Sequence, residues 1–129
     1  MIGIWSSYAD IYLMVAGVAM LVAFGLPLML APLRWARVFR WDVSQPGNLV
    51  IFLGRSLGVL ISVIAIYAFK VSQTPAALPF YYELMLWTFV GMILLHIYGA
   101  IRKTQPVTET LEIGLWVILC LVTLCFYPI

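Results

Sequence analysis

Charge is what this chain of 129 residues has least of. Only 9% of its residues are Asp, Glu, Lys or Arg, where a soluble domain carries about 25%. That leaves too little polar surface to cover a water-soluble globule. With 65% hydrophobic residues and a mean hydropathy of +1.10, the chain reads as an integral membrane protein. The net charge of +2 gives no basic stripe for nucleic acid. Chemistry-bearing residues are equally sparse. There is one histidine, His96, one asparagine, Asn48, and two cysteines, Cys120 and Cys125. The cysteines are five apart in one apolar run, so on a helix they point about 140° away from each other, which disfavours a disulfide or a metal pair. No HExxH, CxxC or glycine-rich phosphate loop occurs, and no deep pair of carboxylates in one segment. A lone histidine excludes bis-histidine haem within one chain. Ser56 lacks the third group and oxyanion site that a nucleophile beside His96 would need. The expectation is no catalysis, no cofactor and no metal site.

What the chain has is long apolar runs. A helix crossing a bilayer needs about 20 mostly apolar residues, and four stretches qualify: roughly 11–31, 48–70, 80–101 and 108–127. The linkers between them are short and hold breakers: Pro32 and "SQPGN", "SQTPAALP", and "KTQP". Short connections favour antiparallel neighbours. The expected fold is an all-α, four-helix antiparallel membrane bundle forming a single domain over 1–129. The N-terminal "MIGIWSSYAD" has no basic residue before the first run, so the first segment reads as a retained span and not a cleaved signal. Gly25 and Pro27 lie inside that span, where proline removes a backbone hydrogen bond and bends the helix. Such a bend is tolerated in lipid when a neighbour satisfies the freed carbonyl.

Orientation follows the basic residues. Arg34, Arg37 and Arg40 lie in the first loop and Arg102 and Lys103 in the third, against Lys70 on the other side. Both termini are therefore expected on the non-cytoplasmic side. In "PLRWARVFRW" the arginines recur every three residues, and Trp35 and Phe39 are four apart. Residues 32–42 thus read as a short interfacial amphipathic helix, with Arg34, Arg37 and Arg40 toward phosphate headgroups and Trp35 and Phe39 toward the acyl boundary. Trp5, Tyr8, Tyr81, Tyr82, Trp87 and Tyr127 read as aromatic-belt residues.

The second span holds a single charge, Arg55, in "LVIFLGRSLGVLISVIAIYAF". Gly54, Gly58 and Ser62 recur every four residues, a small-residue stripe that lets another helix approach closely. Counting at the helical rise, Arg55 lies about 10 Å and His96 about 9 Å in from the cytoplasmic edge. Glu112 lies one turn into the fourth span, with Glu109 a turn nearer the water. A charge inside a span normally faces the bundle interior or pairs. Arg55, His96 and Glu112 are therefore expected to form a buried polar cluster, with an Arg55–Glu112 ion pair. Snorkelling of Arg55 to the headgroups is the competing reading.

The landmarks "GNLVIFLGRSLG", "YYELMLWTF" and "LLHIYGA", over residues 46–98, resemble the small four-span scaffold family of sterol C4-demethylation in the endoplasmic reticulum. Arg55, Tyr82, Trp87 and His96 carry the resemblance, which implies a non-catalytic tether that holds membrane enzymes together. The sequence departs from that pattern in its arginine-rich "RWARVFRW" loop, and a bacterial accessory subunit of unrelated descent fits the composition equally well. The expected function is a non-catalytic scaffold or accessory subunit of a larger membrane enzyme complex, in the bacterial inner membrane or the endoplasmic reticulum. Its expected partners are membrane lipids and a membrane protein or a second copy. The alternative is a binder of a small lipophile (quinone, sterol or haem) near Arg55 and His96, and a small transporter ranks third.

Overall fold

The computed structural model describes residues 2–129 and is all-α. The elements are α1 (Ala9–Met20), α2 (Leu26–Leu30), α3 (Pro32–Val38), α4 (Asn48–Ser72), α5 (Leu78–Arg102) and α6 (Val107–Cys125), with a five-residue π-helical stretch, Leu21–Gly25, between α1 and α2. Four continuous helical segments are long and apolar enough to cross a membrane: Ser6–Leu30, Asn48–Ser72, Pro75–Arg102 and Val107–Cys125. The chain is an integral membrane protein of helical class. Each segment begins or ends within a few residues of its expected bounds, since apolar length and Pro/Gly punctuation set both. The largest shifts are at the starts of the first and third, at Ser6 and Pro75, where 3-10 turns, Ser6–Tyr8 and Pro75–Ala77, lead into α1 and α5.

The chain divides into two compact units, one of Leu13–Lys70 and the other of the residues up to Tyr12 together with Val71–Ile129. The first is an antiparallel pairing of small faces. A Cβ on Gly17 would meet Ala68, one on Gly25 would meet Ser62, one on Gly58 would meet the Met29 backbone, and one on Gly54 would meet Pro32. The partners descend along α4 as the numbers rise along the first span, which is the antiparallel register. The Gly54, Gly58 and Ser62 stripe is therefore occupied by the chain's own first span, and Ser62 Oγ turns back to donate to the Gly58 carbonyl at 2.8 Å.

The π-helical stretch follows from Pro27. Its ring cannot donate to the carbonyl four residues earlier and would clash with it, so the turn widens and Leu26 N–H bonds back to Leu21 O. The freed Ala23 carbonyl receives the indole N–H of Trp35 at 2.8 Å. Trp35 packs in tilted ring contacts with Phe39 (4.4 Å between centroids) and Phe24 (5.7 Å). It is half-buried, and its polar end serves the chain's own backbone.

The interfacial helix is shorter than expected, Pro32–Val38. Arg40 stops it by adopting a left-handed conformation (φ 63°), with Arg40 N–H bonding to Arg37 O and Trp41 N–H to Ala36 O, a Schellman cap. Arg34, Arg37 and Arg40 are exposed, and Phe39 is half-buried against Trp35.

In the other unit α5 and α6 form an antiparallel hairpin. Lys103 (φ 54°) closes α5 with the same cap, Thr104 N–H bonding to Gly99 O at 3.0 Å and Lys103 N–H to Ala100 O at 3.2 Å. Near the termini the core is aromatic. Tyr82, fully buried, donates to the Ala9 carbonyl at 2.8 Å, and Tyr12 shares a 2.6 Å hydrogen bond with Thr123 while stacking on Phe126 at 4.7 Å. The N-terminal turn is tied on by Gly3 N–H to Leu124 O and Trp5 N–H to Cys125 O, both 2.9 Å. Tyr81 and Tyr82 were expected in the aromatic belt. They are buried instead, because an aromatic body with one satisfied hydroxyl packs as well inside a helix pair as at a membrane edge. Trp5, Tyr8 and Trp87 are exposed.

Candidate functional site

The most polar buried site lies where α5 and α6 meet, at the end nearest their connecting loop. His96 is on α5, four residues after Met92. Its Nδ1 lies 2.7 Å from the Met92 carbonyl oxygen. A carbonyl only accepts, so Nδ1 carries the hydrogen and donates. This leaves Nε2 facing α6, at 3.1 Å from Glu109 Oε2 and 3.7 Å from Glu112 Oε2. Glu109 and Glu112 are three apart on α6 and so share a face. The histidine side chain is 4% exposed and each glutamate 12%.

The surroundings hold this geometry. The Gln105 amide donates to the His96 carbonyl at 3.0 Å and to Thr110 Oγ1 at 3.1 Å, so one loop side chain clamps α5 to the start of α6. Gly99 is required beneath it, since a Cβ there would collide with the Gln105 side chain. Trp116, also buried, lies one turn beyond Glu112. Its ring is 6.1 Å from that of His96 and 5.7 Å from that of Phe89. Two anions at the N-terminal end of α6 also sit favourably against the helix dipole.

His96 and Glu112 were expected to meet, and the structure brings them together. Arg55 is not part of this buried set. It is exposed on α4 and borders an open groove with Arg34, Leu30, Leu33 and Ile51. The reason is local. Gly54 and Gly58 face the first span, and one residue past Gly54 is about 100° around the helix. Arg55 is therefore turned away from the face of α4 that packs on the first span. Glu109, Gln105 and Trp116 were not expected in the site. The i, i+3 spacing of Glu109 and Glu112 was a usable signal for Glu109. No local pattern marks Gln105, which acts only because the α5–α6 turn folds back.

Comparison with protein-family models, with curated proteins and with solved structures finds no match to this chain. The resemblance to the sterol C4-demethylation scaffold thus rests on its own residues within 46–98.

Proposed function

We propose that this protein is a non-catalytic integral membrane scaffold or accessory subunit of a larger membrane enzyme complex. One observation carries the reading. Within the long helices, Gly17, Gly25, Gly54, Gly58 and Gly99 each have a neighbour of the same chain where a Cβ would stand, whereas Gly91 on α5 and Gly114 on α6 have open space. Both are exposed among large apolar side chains such as Trp87, Leu94, Leu111 and Leu115. Glycine costs a helix about 1 kcal/mol relative to alanine, and in lipid it offers close backbone approach to another helix. The resemblance to a membrane tether points the same way. The basic loops at Arg34–Arg40 and Arg102–Lys103 support a topology with both termini on the non-cytoplasmic side, in a bacterial inner membrane or the endoplasmic reticulum.

The test is purification in mild detergent from native membranes. A membrane protein should co-purify with the wild type, and Gly91→Leu and Gly114→Leu should lose it while keeping full helicity. A chain that always purifies without another membrane protein overturns the reading. A second reading, binding of a small lipophile with an anionic group, is favoured by the groove where Arg34 and Arg55 stand above Leu30, Leu33 and Ile51. Solvent extraction and mass spectrometry of the purified protein test it.

A further inference from the structure

The donor atoms around His96 converge on one point. Nδ1–H is committed to the Met92 carbonyl, so neutral imidazole presents a lone pair at Nε2. That lone pair is aimed, from a side chain 4% exposed, at two carboxylate oxygens 3.1 and 3.7 Å away. All three are acceptors. Three lone-pair donors on two helices thus converge within 4.8 Å of one another, an arrangement that suits a shared cation. A divalent ion brings the trio of one neutral imidazole and two carboxylates to zero.

We propose that His96, Glu109 and Glu112 form a divalent-metal site of the kind that takes Zn2+ or Co2+. The donor set suits these ions, imidazole nitrogen and carboxylate oxygen being ordinary ligands for both. The three donor atoms lie within 4.8 Å of one another. Bonds of about 2.1 Å in a tetrahedral shell place neighbouring ligand atoms about 3.4 Å apart; the two separations from His96, 3.1 and 3.7 Å, bracket that value, and rotation of the glutamate side chains would close the remainder of the 4.8 Å span. The supporting shell is of the right type. A ligating histidine typically donates its other ring N–H to a carbonyl or carboxylate, which fixes the tautomer, and Met92 O does that here. Gln105 holds the ends of the two helices together through His96 O and Thr110 Oγ1, and the buried Trp116 ring lies 6.1 Å from that of His96. Three protein ligands leave a fourth position for water. The metal would link α5 to α6 across a 13-residue separation, and the proposal holds whichever reading of the overall function is right.

His96 is the chain's single histidine, and this makes the test direct. The wild-type protein in detergent is stripped with a chelator and titrated with Zn2+ while the imidazole NMR signals are followed, and separately with Co2+ while visible ligand-field bands are followed. The expected result is a shift of the imidazole signals and growth of the Co2+ bands, both saturating at one equivalent. Glu109→Gln and Glu112→Gln, which keep side-chain size, should each weaken Co2+ binding by more than the roughly 10- to 100-fold lost with a supporting residue. Glu83→Gln, remote from the site, should bind as the wild type does. Imidazole signals that do not move with added Zn2+ overturn the proposal, as does Co2+ binding unchanged in both glutamine variants. The wild-type NMR titration decides the matter by itself if a variant does not fold.

Discussion

The indole N–H of Trp35 donates to the carbonyl of Ala23 over 2.8 Å, and Ala23 is the residue four before Pro27. The tryptophan of the interfacial helix therefore mends the hydrogen-bond ladder that the proline breaks. If so, the two residues are energetically coupled. Trp35→Phe should cost about 1–3 kcal/mol, the range for stranding a poorly solvated acceptor, read as a lower thermal midpoint in detergent. In a Pro27→Ala background a backbone N–H is restored, and the same Trp35→Phe change should cost clearly less. An equal cost in both backgrounds would mean that the indole only packs.

The glycines divide sharply by what stands next to them. Gly58→Ala drives a Cβ into the Met29 backbone, and backbone cannot rotate away. A loss of about 1–3 kcal/mol or more is expected. Gly91→Ala and Gly114→Ala meet open space and should leave the isolated chain unchanged or stabilise it by up to about 1 kcal/mol. Thermal midpoints of the three variants in one detergent decide this.

Arg40 and Lys103 both hold left-handed backbone at the end of a helix, φ 63° and 54°, where glycine is the usual occupant. The conformation costs an L-residue about 1–2 kcal/mol, partly offset by a positive charge beside the helix C-terminal carbonyls. Lys103→Gly should therefore raise stability by about 0.5–1 kcal/mol, allowing for the greater freedom of glycine in the unfolded chain. Lys103→Ala keeps the strain without the charge and should fall below the wild type. Parallel thermal melts rank the three proteins.

Tyr127 lies just past the last span, and its hydroxyl donates to Glu83 Oε1 at 3.3 Å. Burial, then the Glu83 carboxylate, raises its pKa above the ordinary 10.0. A phenol whose folded pKa is raised contributes stability that is fully present below the unfolded value near 10 and is lost as pH rises through the folded value. Wild-type stability should thus decline more steeply above pH 10 than that of Tyr127→Phe. Superimposable alkaline profiles for the two proteins would remove Tyr127 from the account.

The comparison of Arg55 with Glu109 shows where sequence reasoning reached and where it stopped. For both, counting residues at the helical rise gives a position along the helix, because that position depends on one dimension. Which way each side chain turned depended on the helix face used for packing. On α4 the glycines claimed that face and left Arg55 outward. On α6 the i, i+3 spacing carried Glu109 inward with Glu112. Tyr82 shows the same limit, since an aromatic near a span end suits a membrane edge and a protein core equally until a carbonyl such as that of Ala9 is found opposite its hydroxyl.

The amino-acid order by itself determined that this chain lives in a membrane, that it crosses as helices, where those helices begin and end, and that Pro27 must disturb the first. Those properties follow from apolar length, backbone hydrogen bonding and proline's missing N–H, all of which are local. Only the tertiary structure decided that Trp35 repairs the disturbance, that Gly58 accepts the Met29 backbone, and that His96 faces Glu109 and Glu112 with Gln105 locking them in place. These contacts join residues separated by a turn or a whole span, and their partners are chosen by which faces the packed helices leave available.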